Sequence, residues 1–218
     1  MPVINIKTLF TKASLVTLIK IFLPGILVLG IGAICHLIYK IPFSVYSRDP
    51  IQVLEGKPYV GIISSIGILL WSATASIIYF SALLIAKQHK SKQLLGFLLY
   101  AGIFTTLLLF DDLFLFHDVI FPDYLKVNEN FFYIPYGIIL LIFIIQYRKL
   151  LLETDYILLL LAFGFFIGSA GTDQFIEYVC NIPGEYILED GFKLLGIISW
   201  FAFFSRTCYR YVKIKDFD

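Results

Sequence analysis

The chain has 218 residues, of which 59% are apolar and 17% aromatic but only 15% charged, and its mean hydropathy is +0.86. That balance lies far outside the range of soluble globular domains and points to an integral membrane protein. A net charge of +1, with no Gly-rich phosphate loop and no basic run interleaved with aromatics, excludes nucleic acid as a partner.

The N-terminus resembles a targeting segment, because Lys7, Lys12 and Lys20 precede an apolar run that ends G-I-G-A-I-C. The run from Ile21 to Tyr39 is nevertheless long enough to span, and Ile34 before Cys35 fits no cleavage pattern, so it is read as a retained first helix. About 20 apolar residues cross the roughly 30 Å of hydrocarbon in a bilayer. Six segments meet that need, over about residues 14–39, 59–86, 94–116, 131–147, 156–180 and 190–209. Pro24-Gly25 predicts a kink in the first. The second is long enough that it must tilt or protrude, and the fourth is the shortest. With no repeat, low-complexity tract or linker, the expected architecture is all-α: a polytopic helix bundle forming a single transmembrane domain.

Orientation follows from the basic residues, which favour cytoplasmic loops. With the N-terminus cytoplasmic, that side receives Lys7, Lys12, Lys20, Lys87, Lys90, Lys92, Arg148, Lys149, Arg206, Arg210, Lys213 and Lys215, which is 12 of the 17. Six spans then return the C-terminus to the cytoplasm. The first outer loop, 40–58, carries Asp49-Pro50 and Lys57-Pro58, each of which disfavours helix just before its proline. High Ile, Phe and Lys usage suggests a bacterial inner membrane.

The chemistry concentrates in L-L-L-F-D-D-L-F-L-F-H-D, residues 107–118, where Asp111, Asp112, His117 and Asp118 interrupt a lipid-like run. Charges in hydrocarbon are costly without partners, so these groups must reach water or other polar groups. The predicted topology brings further polar residues to the same outer level. The fifth span carries Ser169, Asp173 and Glu177 at four-residue spacing on one face, the sixth begins Glu189-Asp190, and the first ends Cys35-His36. Gly164, Gly168 and Gly171 in the fifth span suit close helix approach.

Carboxylates with imidazoles suit a divalent metal such as Zn, Mn or Fe, with Asp111, Asp112, His117, Asp173, Glu177 and His36 as candidate ligands. A metal-bound water would then be a nucleophile at the interface, with Glu189 or Asp190 as general base. Membrane lipids are the substrates that reach such a site laterally, so the enzymatic expectation is a metal-dependent, membrane-embedded lipid hydrolase. No H-x-x-x-H, H-E-x-x-H or E-x-x-H element supports it. The alternatives are a cation- or proton-coupled transporter or channel using the same carboxylates, and a non-catalytic assembly or sensing subunit whose cluster is an ion-pair network.

Plainer readings stand beside each residue. The acids and His117 lie close enough to the surface to hydrate, His36 suits an interfacial tip, and Lys193 has a helical partner in Glu189 four residues earlier. Trp71 and Trp200 sit mid-helix, where packing is the default, with Trp200 placed to line any cavity below the cluster. The three cysteines have no metal or thioredoxin-like spacing. Cys35 and Cys180 share the outer side and suit either a disulfide or packing, while Cys208, between Arg206 and Arg210, is a candidate for palmitoylation.

Overall fold

A computed structural model of the chain describes residues 12–88, 91–126, 130–179 and 185–213, with side chains described over 16–88, 91–126, 134–172 and 187–213. All regular structure among the described residues is helical. The chain divides into two compact units, Met1–Val60 and Gly61–Asp218.

The first unit holds α1 (Lys12–Tyr39), α2 (Phe43–Ser47) and α3 (Pro50–Val53). Helix α1 is apolar around its circumference, as expected of a helix surrounded by lipid. It runs continuously through Pro24, and the chain turns at Lys40 in a left-handed conformation (φ 58°). Gly32 admits the Phe43 ring, because a Cβ there would lie 3.2 Å from that ring. The expected effect of Asp49-Pro50 is visible in α3: Asp49 is the N-cap, its Oδ1 accepts from Ile51 N at 2.8 Å, and Pro50 opens the helix.

The second unit contains α4 (Ile62–Lys87), α5 (Lys92–Phe114), a π-helical turn over Phe116–Leu125, α6 (Asn130–Leu152), α7 (Tyr156–Val179) and α8 (Glu185–Lys213). Gly61 starts α4 with φ at 68°, a conformation that suits glycine. Helix α6 runs five residues beyond the expected end of its span, past a break at Tyr147 (φ −111°, ψ 17°). The closest associations are α7 with α8 and α4 with both α5 and α8. Helix α6 rests on α5 through aromatic contacts, Phe97 on Phe143 at 5.3 Å and Tyr147 edge-on to Phe97 at 5.5 Å, and through Tyr100, whose hydroxyl donates to Ile139 O at 2.9 Å.

The core of this unit is aromatic: Trp71, Phe97, Phe104, Phe143, Trp200, Phe203 and Phe204 are all buried. Trp200, 1% exposed, donates from Nε1 to Thr105 Oγ1 at 3.1 Å and packs against Phe104 and Phe204. Cys208 is 1% exposed inside this core and hydrogen-bonded with Ser81, which removes it from reach of lipidation. Cys180 lies outside the described residues. Leu69, Leu83, Leu160 and Ile167 instead point outward, giving the unit an apolar exterior.

Among the described residues, four helices are long and apolar enough to cross a membrane: Val16–Tyr39, Ile62–Lys87, Lys92–Phe114 and Ile134–Leu152, with Tyr156–Thr172 a shorter apolar stretch. The architecture is therefore that of an all-helical membrane protein.

Candidate functional site

Helix α5 stops where its charges begin. Leu115 takes a left-handed conformation (φ 53°, ψ 45°), which costs a non-glycine residue energy, and the chain then winds into the wider π-helical turn. Asp111 compensates. Its Oδ1 accepts the His117 backbone N–H at 3.1 Å, satisfying a donor that the broken helix would leave without a partner. The same carboxylate engages the His117 ring, with Nδ1 at 2.6 Å from Oδ2. On the other side of the imidazole, Nε2 lies 2.9 Å from Asp118 Oδ1. The Tyr136 hydroxyl of α6 donates to Asp111 as well.

Asp112 projects about 100° away from Asp111 around the helix, and so meets a different set of neighbours. Its Oδ1 is 2.7 Å from Lys193 Nζ on α8, and its Oδ2 accepts Trp71 Nε1–H from α4 at 2.9 Å. Trp71 in turn stacks on Phe166 of α7 at 5.9 Å and meets Trp200 edge-on at 6.0 Å. The two adjacent carboxylates thus tie α5 to its own continuation, to α6, to α4 and to α8.

The cluster lies near the end of the bundle where α5 finishes, about two turns in from the starts of α4 and α8. Lys193 lies eight residues into α8 and Trp71 nine into α4, so both helices continue for roughly 12 Å beyond this level at about 1.5 Å per residue. The π-helical turn covers the gap above the end of α5. Side-chain exposure accordingly falls to 5% for Asp111, 11% for Asp112 and 12% for His117, with Asp118 left at 43%. Hydration, the plainer reading from sequence, does not account for the first three.

Electrostatics within the turn follow from these contacts. Burial disfavours the charged imidazole, but the hydrogen bonds to Asp111 and Asp118 and the charges of both acids outweigh it and raise His117 to about 10. The His117 hydrogen bond conversely holds Asp118 below the usual carboxylate range, against the opposing effect of burial. His117 is therefore a cation at neutral pH, bracketed by two anions.

The expected site residues divide sharply. Asp111, Asp112 and His117 converge. Glu189 is half-buried and Asp190 exposed on the first turns of α8, four and three residues before Lys193. Asp173 and Glu177 belong to α7, but their side chains lie outside the described residues. His36 belongs to the first unit, where its Nδ1 is 2.7 Å from Ile41 O. Among the described residues, no group of three or more His, Cys, Asp or Glu side chains has an arrangement suited to a metal ion.

Three participants escaped the sequence reading. Lys193, matched by spacing to Glu189, has its ion pair with Asp112 at a sequence distance of 81 residues. Trp71, expected to do no more than pack, donates to the same carboxylate. Tyr136 was not singled out at all, and its only signal was a phenol beside Pro135 in an apolar run.

The family described as "Domain of unknown function (DUF8692)" matches residues 21–207, and the chain belongs to it. No curated protein and no solved structure matches the chain.

Proposed function

We propose that this family member is a six-span protein of a bacterial inner membrane, with both termini cytoplasmic, and that its cluster works as an ion-pair lock in a non-catalytic assembly or sensing subunit. The observation that carries the reading is that each charged group already has a dedicated partner of opposite sign: His117 with Asp111 and Asp118, and Asp112 with Lys193. Both ring nitrogens of His117 face carboxylates, so neither offers a metal the lone pair that ligation requires. A divalent ion would have to displace His117 or Lys193 from the acids that hold them.

The aromatic packing beside the cluster weighs against transport. Trp71 bonds Asp112 and meets Trp200 edge-on, and an indole N–H donates but cannot relay a proton. The six-span reading draws support from the basic-residue asymmetry and from Lys193, whose charge is compensated by Asp112.

Metal analysis by inductively coupled plasma mass spectrometry on the purified protein tests this. The expected result is metal far below one equivalent, unchanged by Asp112→Ala. Near-stoichiometric zinc, manganese or iron that disappears in Asp112→Ala or Asp173→Ala would restore the lipid hydrolase, with Glu189 or Asp190 as base. Proton flux into liposomes that depends on Asp173 would restore the transporter.

A further inference from the structure

We infer that the opposite end of the second unit carries a binding site for one anionic phospholipid, in a groove between the start of α7 and the last turns of α8. The groove has a volume of about 460 Å³ and is lined by Asp155, Ile157, Leu158, Ala202 and Arg206. That volume falls in the range of small-ligand sites, roughly 300–1,000 Å³.

Its chemistry is divided along its length. Ile157, Leu158 and Ala202 supply the apolar lining, and Asp155 and Arg206 the charged part. Arg206 and Arg210 stand four residues apart on α8, hence on one face, and both reach the turn between α6 and α7. Arg206 engages Asp155 through Nε, and Arg210 donates from Nη1 to the Glu153 carbonyl. Among the described residues, the Glu153 carbonyl takes one donor of Arg210 and Asp155 takes Nε–H of Arg206, and the other guanidinium N–H groups are donors for a phosphate. Both side chains of that pair are well exposed, at 67% and 48%, so it gives way at little cost.

An apolar lining with the Arg206 guanidinium at its charged end, and Arg210 one turn further along α8, complements a phospholipid, with the acyl chain on Ile157, Leu158 and Ala202 and the phosphate displacing Asp155 from the forked N–H donors of Arg206. A free phosphate would leave the apolar lining uncovered, and an uncharged lipid would gain nothing from the Arg206 charge. The site is separate from the ion-pair cluster and rests only on the second unit lying in a bilayer, so the metal and flux measurements above do not decide it.

The test is native mass spectrometry of the full-length protein released from micelles containing equal amounts of phosphatidylglycerol and phosphatidylcholine with the same acyl chains. One phosphatidylglycerol should be retained preferentially, and the double variant Arg206→Ala/Arg210→Ala should reduce that retention at least fivefold. Ala202→Trp, which fills the trough with both arginines in place, should do the same, whereas Arg148→Ala/Lys149→Ala on α6 should leave retention unchanged. Equal retention of the two lipids overturns the site, as does indifference to the Arg206/Arg210 pair or an equal loss in the Arg148/Lys149 variant. Disulfide-linked dimers of Ala202→Cys in native membranes, insensitive to added phosphatidylglycerol, would assign the groove to a second copy of the chain. Thermal unfolding run in parallel guards against misfolding, and if the arginine variant fails to fold, Ala202→Trp decides.

Discussion

Asp112 holds two bonds of different kinds, and each can be removed separately. Trp71→Phe keeps the ring that stacks on Phe166 and meets Trp200 but deletes the Nε1–H donated to the carboxylate. Asp112 would then rely on Lys193, and thermal unfolding in detergent should register a loss of about 1–3 kcal/mol, the range for depriving a buried charged acceptor of a donor. A variant as stable as the parent would mean the indole only packs. His117 gives a complementary prediction through pH. Its folded pKa of about 10 exceeds the ordinary 6.5, so its contribution is complete below 6.5 and is lost as pH rises through about 10. Asp118 is shifted down, so its contribution is present above the ordinary carboxylate value of 3.8 and is lost as pH falls below it. Stability should therefore hold between the two ordinary values, 3.8 and 6.5, and decline as pH rises from 6.5 through about 10, and His117→Ala should flatten that decline. An alkaline limb unchanged in His117→Ala would show that the pairing contributes nothing.

Between α7 and α8 the packing depends on where glycine lies, and the small-residue pattern located only part of it. Of Gly164, Gly168 and Gly171, Gly168 alone meets the neighbouring helix, where a Cβ would lie 3.3 Å from the Phe192 ring, and the other two face open space. The tightest position is Gly196 on α8, where a Cβ would approach the Phe166 ring to 2.5 Å. Phe166 cannot swing aside freely because it stacks on Trp71, so a methyl group there pushes on the indole that holds Asp112. Gly196→Ala should cost about 1–3 kcal/mol as an overpacked contact, whereas Gly164→Ala should be neutral or gain about 0.5–1 kcal/mol from helix propensity. Equal melting temperatures for the two variants would refute this account of the interface. Helix existence and order were legible because apolar runs of membrane length leave little choice of structure, and Asp49-Pro50 showed where helix is disfavoured, although the short helix that Pro50 opens was not read from it. The break at Leu115 was not legible, since its cause is a contact made after folding: Asp111 receiving the His117 N–H. The partner that Lys193 has in Asp112 was missed for a related reason, because only tertiary packing brings that acid within 2.7 Å.

At the scale of the whole molecule, the distribution of charge and the placement of the cluster impose different demands, and one orientation meets both. Twelve of the 17 basic residues lie in the segments that a six-span arrangement assigns to the cytoplasm. Arg148, Lys149, Arg206, Arg210 and Lys213 belong to the last turns of α6 and α8, at the end of those helices away from the cluster. The ion pairs of Asp111 and Asp112 occupy the other end, where α5 finishes and α8 begins. A charge crossing the bilayer centre is expensive, so each end should stay on the side where synthesis places it. A phosphatase reporter fused after Asp218 should therefore be silent and a cytoplasmic fluorescent reporter bright, while a cysteine introduced at Tyr124 in the π-helical turn should react with a membrane-impermeant maleimide in intact cells. Tyr124 is 79% exposed, so failure to label reflects sidedness rather than burial. Labelling only after the membrane is opened, with an active phosphatase at the C-terminus, would invert the arrangement and place the cluster on the cytoplasmic face.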